Sequence, residues 1–164
     1  MNKKIKIILA IASGMVIIGI LFSVLFLVIL PRTIEGIYDD EDRIASQSES
    51  QIYRNRRESV RNGDYHLSFF FSGIDTLWTF ESENNNGAIL TVNYESEITE
   101  GRFKAVLVSP DDTIDVIFEG TDQGTIQIPL EQGKSRFRIV GEEAEGEINL
   151  SITSVDSVEI HKDA

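Results

Sequence analysis

The sequence predicts a mainly β protein, an antiparallel eight-stranded β-sandwich of jelly-roll type preceded by an N-terminal transmembrane helix and a helical stalk. Three observations predict it. Residues 7–31 carry no charged side chain. The polar stretch that follows has a few apolar residues loosely at a helical interval. After Gly63 the apolar residues alternate in short runs between turn residues, the period of strands that bury one face.

Residues 1–6 form a basic cap with Lys3, Lys4 and Lys6. In residues 7–31, 17 side chains are Ile, Leu, Val or Phe. A bilayer core about 30 Å thick needs about 20 such residues in a helix. The run reads as a retained signal anchor. The alternative is a cleaved signal, whose apolar region is typically about 7–15 residues and ends in a small-x-small site. The exit here is Leu30-Pro31-Arg32-Thr33, without that site. With no cysteine, a lipid-modified lipoprotein is excluded. Basic residues before the run, and Glu35, Asp39, Asp40, Glu41 and Asp42 after it, place the N-terminus in the cytoplasm and the remainder outside the cell membrane. Small residues four apart, Ala10/Gly14 and Gly19/Ser23, could let two such helices approach.

Three of the 15 Lys and Arg precede the run and all 27 acids follow it, so the remainder carries 12 bases against 27 acids, a net −15. That charge argues against nucleic acid and against anionic lipid headgroups. Zero cysteines mean a fold held by its core alone.

Residues 32–63 are expected to form the stalk, helical over residues 39–61 and stopped by Asn62-Gly63. Arg54, Arg56, Arg57 and Arg61 suit the C-terminal end of a helix dipole. They either belong to a solvated face or grip an acidic partner surface. Residues 64–164 form the sandwich. Its expected strands carry Tyr65, Leu67, Phe69 and Phe71; Leu77 to Phe80; Leu90, Val92 and Tyr94; Phe103, Ala105 and Leu107; Ile114, Val116 and Phe118; Ile126, Ile128 and Leu130; Phe137 and Ile139; and Ile148, Leu150 and Ile152. Residues 155–160 could add an edge strand. Strands spaced at roughly 8–12 residues without intervening helices point to two sheets packed face to face.

Within residues 87–152, Val92 and Tyr94 are followed by Gly101, Phe103, Val106, Val108, Pro110 and Asp111, then Leu130, Gly133, Phe137, Val140 and Gly141. This succession resembles the small extracytoplasmic β-sandwich of many Gram-positive membrane proteins and lipoproteins, of the bacterial pre-peptidase C-terminal type and, more distantly, the GOLD domain. Asp112 stands where a turn glycine is usual, and Phe137 fills the aromatic position. The resemblance implies a jelly-roll fold, export and an accessory binding role.

Candidate sites are few. Asp111, Asp112, Asp115, Glu119 and Asp122 are the acids from which a calcium site could be built, but calcium wants six to eight oxygens on a tight loop and the D-x-D-x-D-G pattern is absent. Glu142, Glu143, Glu145 and Glu147 read as a charged edge. Trp78 is either core or a stacking platform. Phe70 lies off register from its neighbours and would be an exposed apolar contact if its strand faces water on one side. With only His66 and His161, and no nucleophile motif, no enzyme and no cofactor are expected. The expected function is a membrane-tethered binding or accessory module for a protein or cell-envelope partner, with Phe70, Trp78, Arg54, Arg56 and Arg57 as contact residues. The alternative is a structural subunit that homo-oligomerises through anchor and stalk.

Overall fold

A computed structural model describes residues 36–61, 63–83, 88–154 and 158–162. The expected anchor, residues 7–31, lies outside them. Among the described residues no helix is long and apolar enough to cross a membrane.

Seven antiparallel strands make one hydrogen-bonded sheet: β1 (Ser50–Arg61), β2 (Asp64–Ser82), β3 (Ala88–Val108), β4 (Ile114–Glu119), β5 (Asp122–Leu130), β6 (Gly133–Ser154) and β7 (Val158–Lys162). The path runs β1-β2-β6-β3-β4, with β5 also on β3 and β7 also on β2. Three strands are very long because runs separated by glycine in the sequence are continuous in space. β2 joins the Tyr65 and Leu77 runs, β3 the Leu90 and Phe103 runs, and β6 the Phe137 and Ile148 runs. The eight expected strands are therefore seven, counting β1 and β7. The ladders shift register between Phe71 and Gly73, and again between Ile98 and Arg102. Such bulges bend a strand without ending it.

The bends fold the sheet over on itself. β1, β5 and the halves of β2, β3 and β6 that pair with them form one layer; β4, β7 and the remaining halves form the other. Rings from the two layers meet between them. Phe69 stacks on Phe103 at 4.9 Å, Tyr94 on Phe118 at 4.6 Å, and Tyr65 meets Trp78 edge-on at 4.8 Å. The main core is this filling, with Leu67, Phe71, Leu90, Val92, Ile139 and Ile148.

The expected helical stalk is not formed. Among the described residues only Glu41–Ala45 is α-helical, here α1, preceded by a 3-10 turn at Ile37–Asp39. Ser50–Arg61, read as helix, is strand β1 paired along β2 from Arg61↔Asp64 to Ser50↔Ile74. Gly63 (φ +90°) turns a hairpin instead of capping a helix. The helical reading failed because these residues find a ready β edge next in the chain, and ladder bonds outweigh a weak helical pattern.

Residues 36–49 cross the outer face of the second layer as a strap. Ile37 and Ile44 are fully buried and Tyr38 nearly so. Ile74, Val106, Val108 and Val140 are buried too, outside the main core cluster, on positions that alternate with its residues. A second, smaller core thus lies beneath the strap.

A polar cleft beside the strap

Both ends of the strap are held by charged side chains of the sheet. At its start, Arg102 donates to both carboxylate oxygens of Asp39 at 2.7 and 2.8 Å, lies 3.9 Å from the Tyr38 ring centre, and Lys104 lies 4.6 Å from the same ring. The fork holds the exposed Asp39 carboxyl below its ordinary range. The Tyr38 hydroxyl donates to Glu119 at 2.7 Å; burial and that carboxylate push it well up.

At the far end, α1 is capped by Asp40, whose side chain accepts from the Arg43 amide at 3.1 Å. Five residues leave most of its carbonyls without helical partners. β6 supplies them. Arg138 donates to the carbonyls of Ile44, Ser46 and Ser48 at 2.5, 2.6 and 3.0 Å, and Arg136 to those of Ala45 and Ser46 at 2.6 and 3.2 Å. The two lie two apart on one face of β6. Arg138 is 0% exposed. Its charge is met by carbonyl dipoles, and burial together with Arg136 lowers its pKa.

Beside this clasp is a cleft of about 940 Å³. The strap contributes Gln47 and Glu49, β2 contributes Thr76 and Thr79, β6 Lys134 and Arg136, and β7 His161. The β3–β4 loop adds Ser109, Pro110 and Asp112. That loop is closed by turn hydrogen bonds: the Ser109 amide donates to the Thr113 carbonyl at 2.9 Å, the Asp112 amide to that of Ser109 at 3.0 Å, and Asp112 sits at φ +66°. Asp112 also accepts from Arg136 at 3.3 Å. The walls therefore present hydroxyls, an amide, carboxylates, cations and the His161 imidazole side by side, with no Phe, Tyr or Trp among the described lining residues. This pattern suits a ligand rich in hydrogen-bonding groups.

The expected contact residues do not line this cleft. Trp78 is 8% exposed, edge-on to Tyr65 and Phe137, and belongs to the core. Phe70 is half-buried with the Arg54 guanidinium 4.9 Å over its ring, on the other layer, where it borders a cavity of about 300 Å³ with Glu97, Glu145 and Glu147. No exposed apolar patch joins the two, because Trp78 points inward. Arg54 and Arg57 lie on the exposed strand β1 on either side of a bulge, where Asn55 has φ +56°. The bulge turns Arg56 to pair with Glu58 at 2.9 Å and Asp75 at 3.6 Å.

Nor are the candidate calcium acids brought together. Asp111 accepts from the Thr113 amide at 3.0 Å, which holds its carboxyl below the ordinary range; Asp112 serves Arg136, and Asp115 is exposed on β4. Asp122 accepts from the Tyr94 hydroxyl at 3.0 Å and Glu119 from Tyr38. Each acid is committed to a local partner or points to solvent. His66 Nδ1 lies 2.8 Å from Asn149 Oδ1, and His161 Nε2 lies 3.6 Å from Glu159 Oε2. His161 shares the cleft with Ser109, and its ion-pair partner is Glu159.

One buried acid went unnoticed in the sequence. Asp75, 5% exposed, sits where β2 leaves β1 and has not yet met β7. It accepts from the Tyr53 hydroxyl at 2.5 Å, and the Gln51 amide, oriented to donate, reaches its oxygens at 2.8 and 3.1 Å. Burial raises its pKa, against the pull of Tyr53 and Arg56. A carboxyl raised in the folded state contributes stability that is complete below the unfolded value near 3.9 and is lost as pH rises through the folded value. Asp75→Asn keeps a neutral side chain throughout. Its stability relative to the parent is therefore expected to rise between pH 4 and pH 7, read by urea unfolding across that range; a flat difference would refute the assignment.

No family model matches the chain and no curated protein matches it, so the pre-peptidase C-terminal and GOLD resemblance has no family match behind it. Solved structures align with it at low similarity. A mutant of a carbohydrate binding module family 29 is 9% identical with a TM-score of 0.35, covering 66% of this chain and 82% of its own. A family two carbohydrate esterase from Cellvibrio japonicus is 14% identical with a TM-score of 0.39, over 71% of this chain and 36% of its own. The CBM22-1 xylan-binding domain from Paenibacillus barcinonensis is 12% identical with a TM-score of 0.30, over 70% and 88%. At these scores neither ligand nor chemistry passes to this chain, and function rests on its own residues.

Proposed function

We propose that this protein is a membrane-tethered extracytoplasmic binding module without catalysis, held in the bilayer by residues 7–31 with its N-terminus inside. Its β domain takes a polar cell-envelope polymer of saccharide type in the cleft beside the strap. The observation that carries this reading is the cleft itself: Gln47, Glu49, Thr76, Ser109, Asp112 and Lys134 converge on one space of about 940 Å³. Interleaved donors and acceptors serve a hydroxyl-rich chain. A reactive serine is not paired with His161, whose ion-pair partner is Glu159. The alternative of a subunit oligomerising through anchor and stalk loses its stalk, since Ser50–Arg61 is spent on pairing with β2.

The test is co-sedimentation of the full-length chain with purified cell-wall polysaccharide in the presence of EDTA. Gln47 and Glu49 are exposed on the strap, so Gln47→Ala with Glu49→Ala leaves the fold intact. The pair is expected to weaken binding roughly tenfold, the worth of one or two hydrogen bonds to a charged group. Absence of binding by the parent chain, or binding indifferent to the double substitution, would overturn the reading.

A further inference from the structure

We propose that Glu81, Glu159 and His161 form a binding site for a divalent transition-metal cation of zinc type, which staples strand β7 to β2. The ligand atoms of the three side chains lie within 4.8 Å of one another. Among the described residues they are the group of three ligating side chains so gathered. The placement follows from the ladder. Glu81 and Glu159 stand directly opposite each other, and His161 follows Glu159 by two, on the same face of β7.

Two carboxylates opposite each other destabilise a strand pair unless a cation sits between them. The nearest cation is Lys134 on β6, opposite Glu81 in the other ladder, with Nζ 3.4 Å from Glu81 Oε2. It meets one acid of the two, and its side chain is 67% exposed, so it swings aside at little cost. Among the described residues Glu159 has no Lys or Arg ion-pair partner, and faces His161 Nε2 at 3.6 Å.

The donor set discriminates among metals. One imidazole nitrogen and two carboxylate oxygens are zinc ligands, and three protein ligands leave a fourth position for water. Calcium would need six to eight oxygens. β7 also has a use for such a tie. It is five residues long and pairs with β2 alone. A further attachment between its side chains and the first layer is the Lys162–Glu58 ion pair. The metal site stands independently of the cleft's ligand, although His161 borders both.

The full-length chain, stripped with EDTA, is titrated with ZnCl2 by calorimetry, and hydrogen exchange is followed with and without Zn2+. One ion is expected per chain, with slower exchange of the amides of residues 158–162 and none of that slowing in β4. Glu159→Gln and His161→Ala change exposed side chains and are each expected to weaken binding at least about tenfold. His66→Ala should leave binding unchanged. No binding, binding that survives both ligand substitutions, or binding without protection of β7 would overturn the proposal.

Discussion

Replacing Arg138 by alanine is expected to lower the unfolding free energy by about 3–5 kcal/mol, since three hydrogen bonds to a charged group are lost, each worth about 1.5–3 kcal/mol, offset in part by the desolvation cost of the buried charge. The guanidinium satisfies the carbonyl of Ile44 in a helix too short to use it itself, and those of Ser46 and Ser48 beyond its end. Its loss leaves those acceptors without their partner and opens a cavity on the face of β6 beneath the strap. The damage is expected to concentrate in the strap: amides of residues 36–49 should exchange faster before the sheet does. Arg138→Lys should recover part of the loss, since an ammonium is a point charge that cannot span three carbonyls as a planar fork does. Arg136→Ala should cost less, because its side chain is 17% exposed and water can replace it. Urea unfolding with hydrogen exchange reads all three. An unchanged midpoint with a fully protected strap in Arg138→Ala would show that the clasp is idle.

Gly73→Ala is expected to be the second severe change, at about 3 kcal/mol. Gly73 has φ +123°, where any other residue is strained by about 1–3 kcal/mol. An added Cβ would also lie 1.8 Å from the Ser50 carbonyl oxygen and 3.0 Å from the Gln51 Cα, both backbone. The start of β1 must then move away. Gln51 and Tyr53, which hold Asp75, move with it. Gly63→Ala is the matched comparison. It too has positive φ, at +90°, but no atom lies within 4 Å of the new Cβ, so strain of about 1–2 kcal/mol is all that is expected. Thermal or urea unfolding of the pair separates clash from strain. Equal losses would show that the Ser50 end of β1 yields freely.

The two substitutions mark the boundary between what local pattern reveals and what it hides. Tyr65, Leu67, Phe69 and Phe71 alternate in the sequence and alternate in the core, as do Phe103, Ala105 and Leu107. Burial of one face of a strand repeats every two residues whatever the partner, so these rows can be read without knowing the fold. Glycines misled for the opposite reason. Gly73 and Gly101 look like strand ends, yet they are bends in strands that continue, because a glycine permits a bulge as readily as a turn. Trp78, offered both as core and as a contact residue, lies in the core, and the setting of Phe70 required knowledge of Arg54 across the ladder. The cleft was invisible. Its residues come from the strap, β2, the β3–β4 loop, β6 and β7, and no window of sequence contains them.

What the sequence determined by itself is the β class of the chain after Gly63, the rows that form the main core and the acidic balance of its surface. Each is set by neighbours a few residues apart or by composition. What only the tertiary structure decided is the fate of residues 36–61 and the burial of Arg138. The strap and its clasp are separated by 90 residues or more, from Ser46 and Ser48 to Arg136 and Arg138. A polar segment with few apolar side chains has no conformation of its own strong enough to persist. It takes the one that the folded sheet offers, and a cation becomes a core residue because carbonyls arrive to cover it.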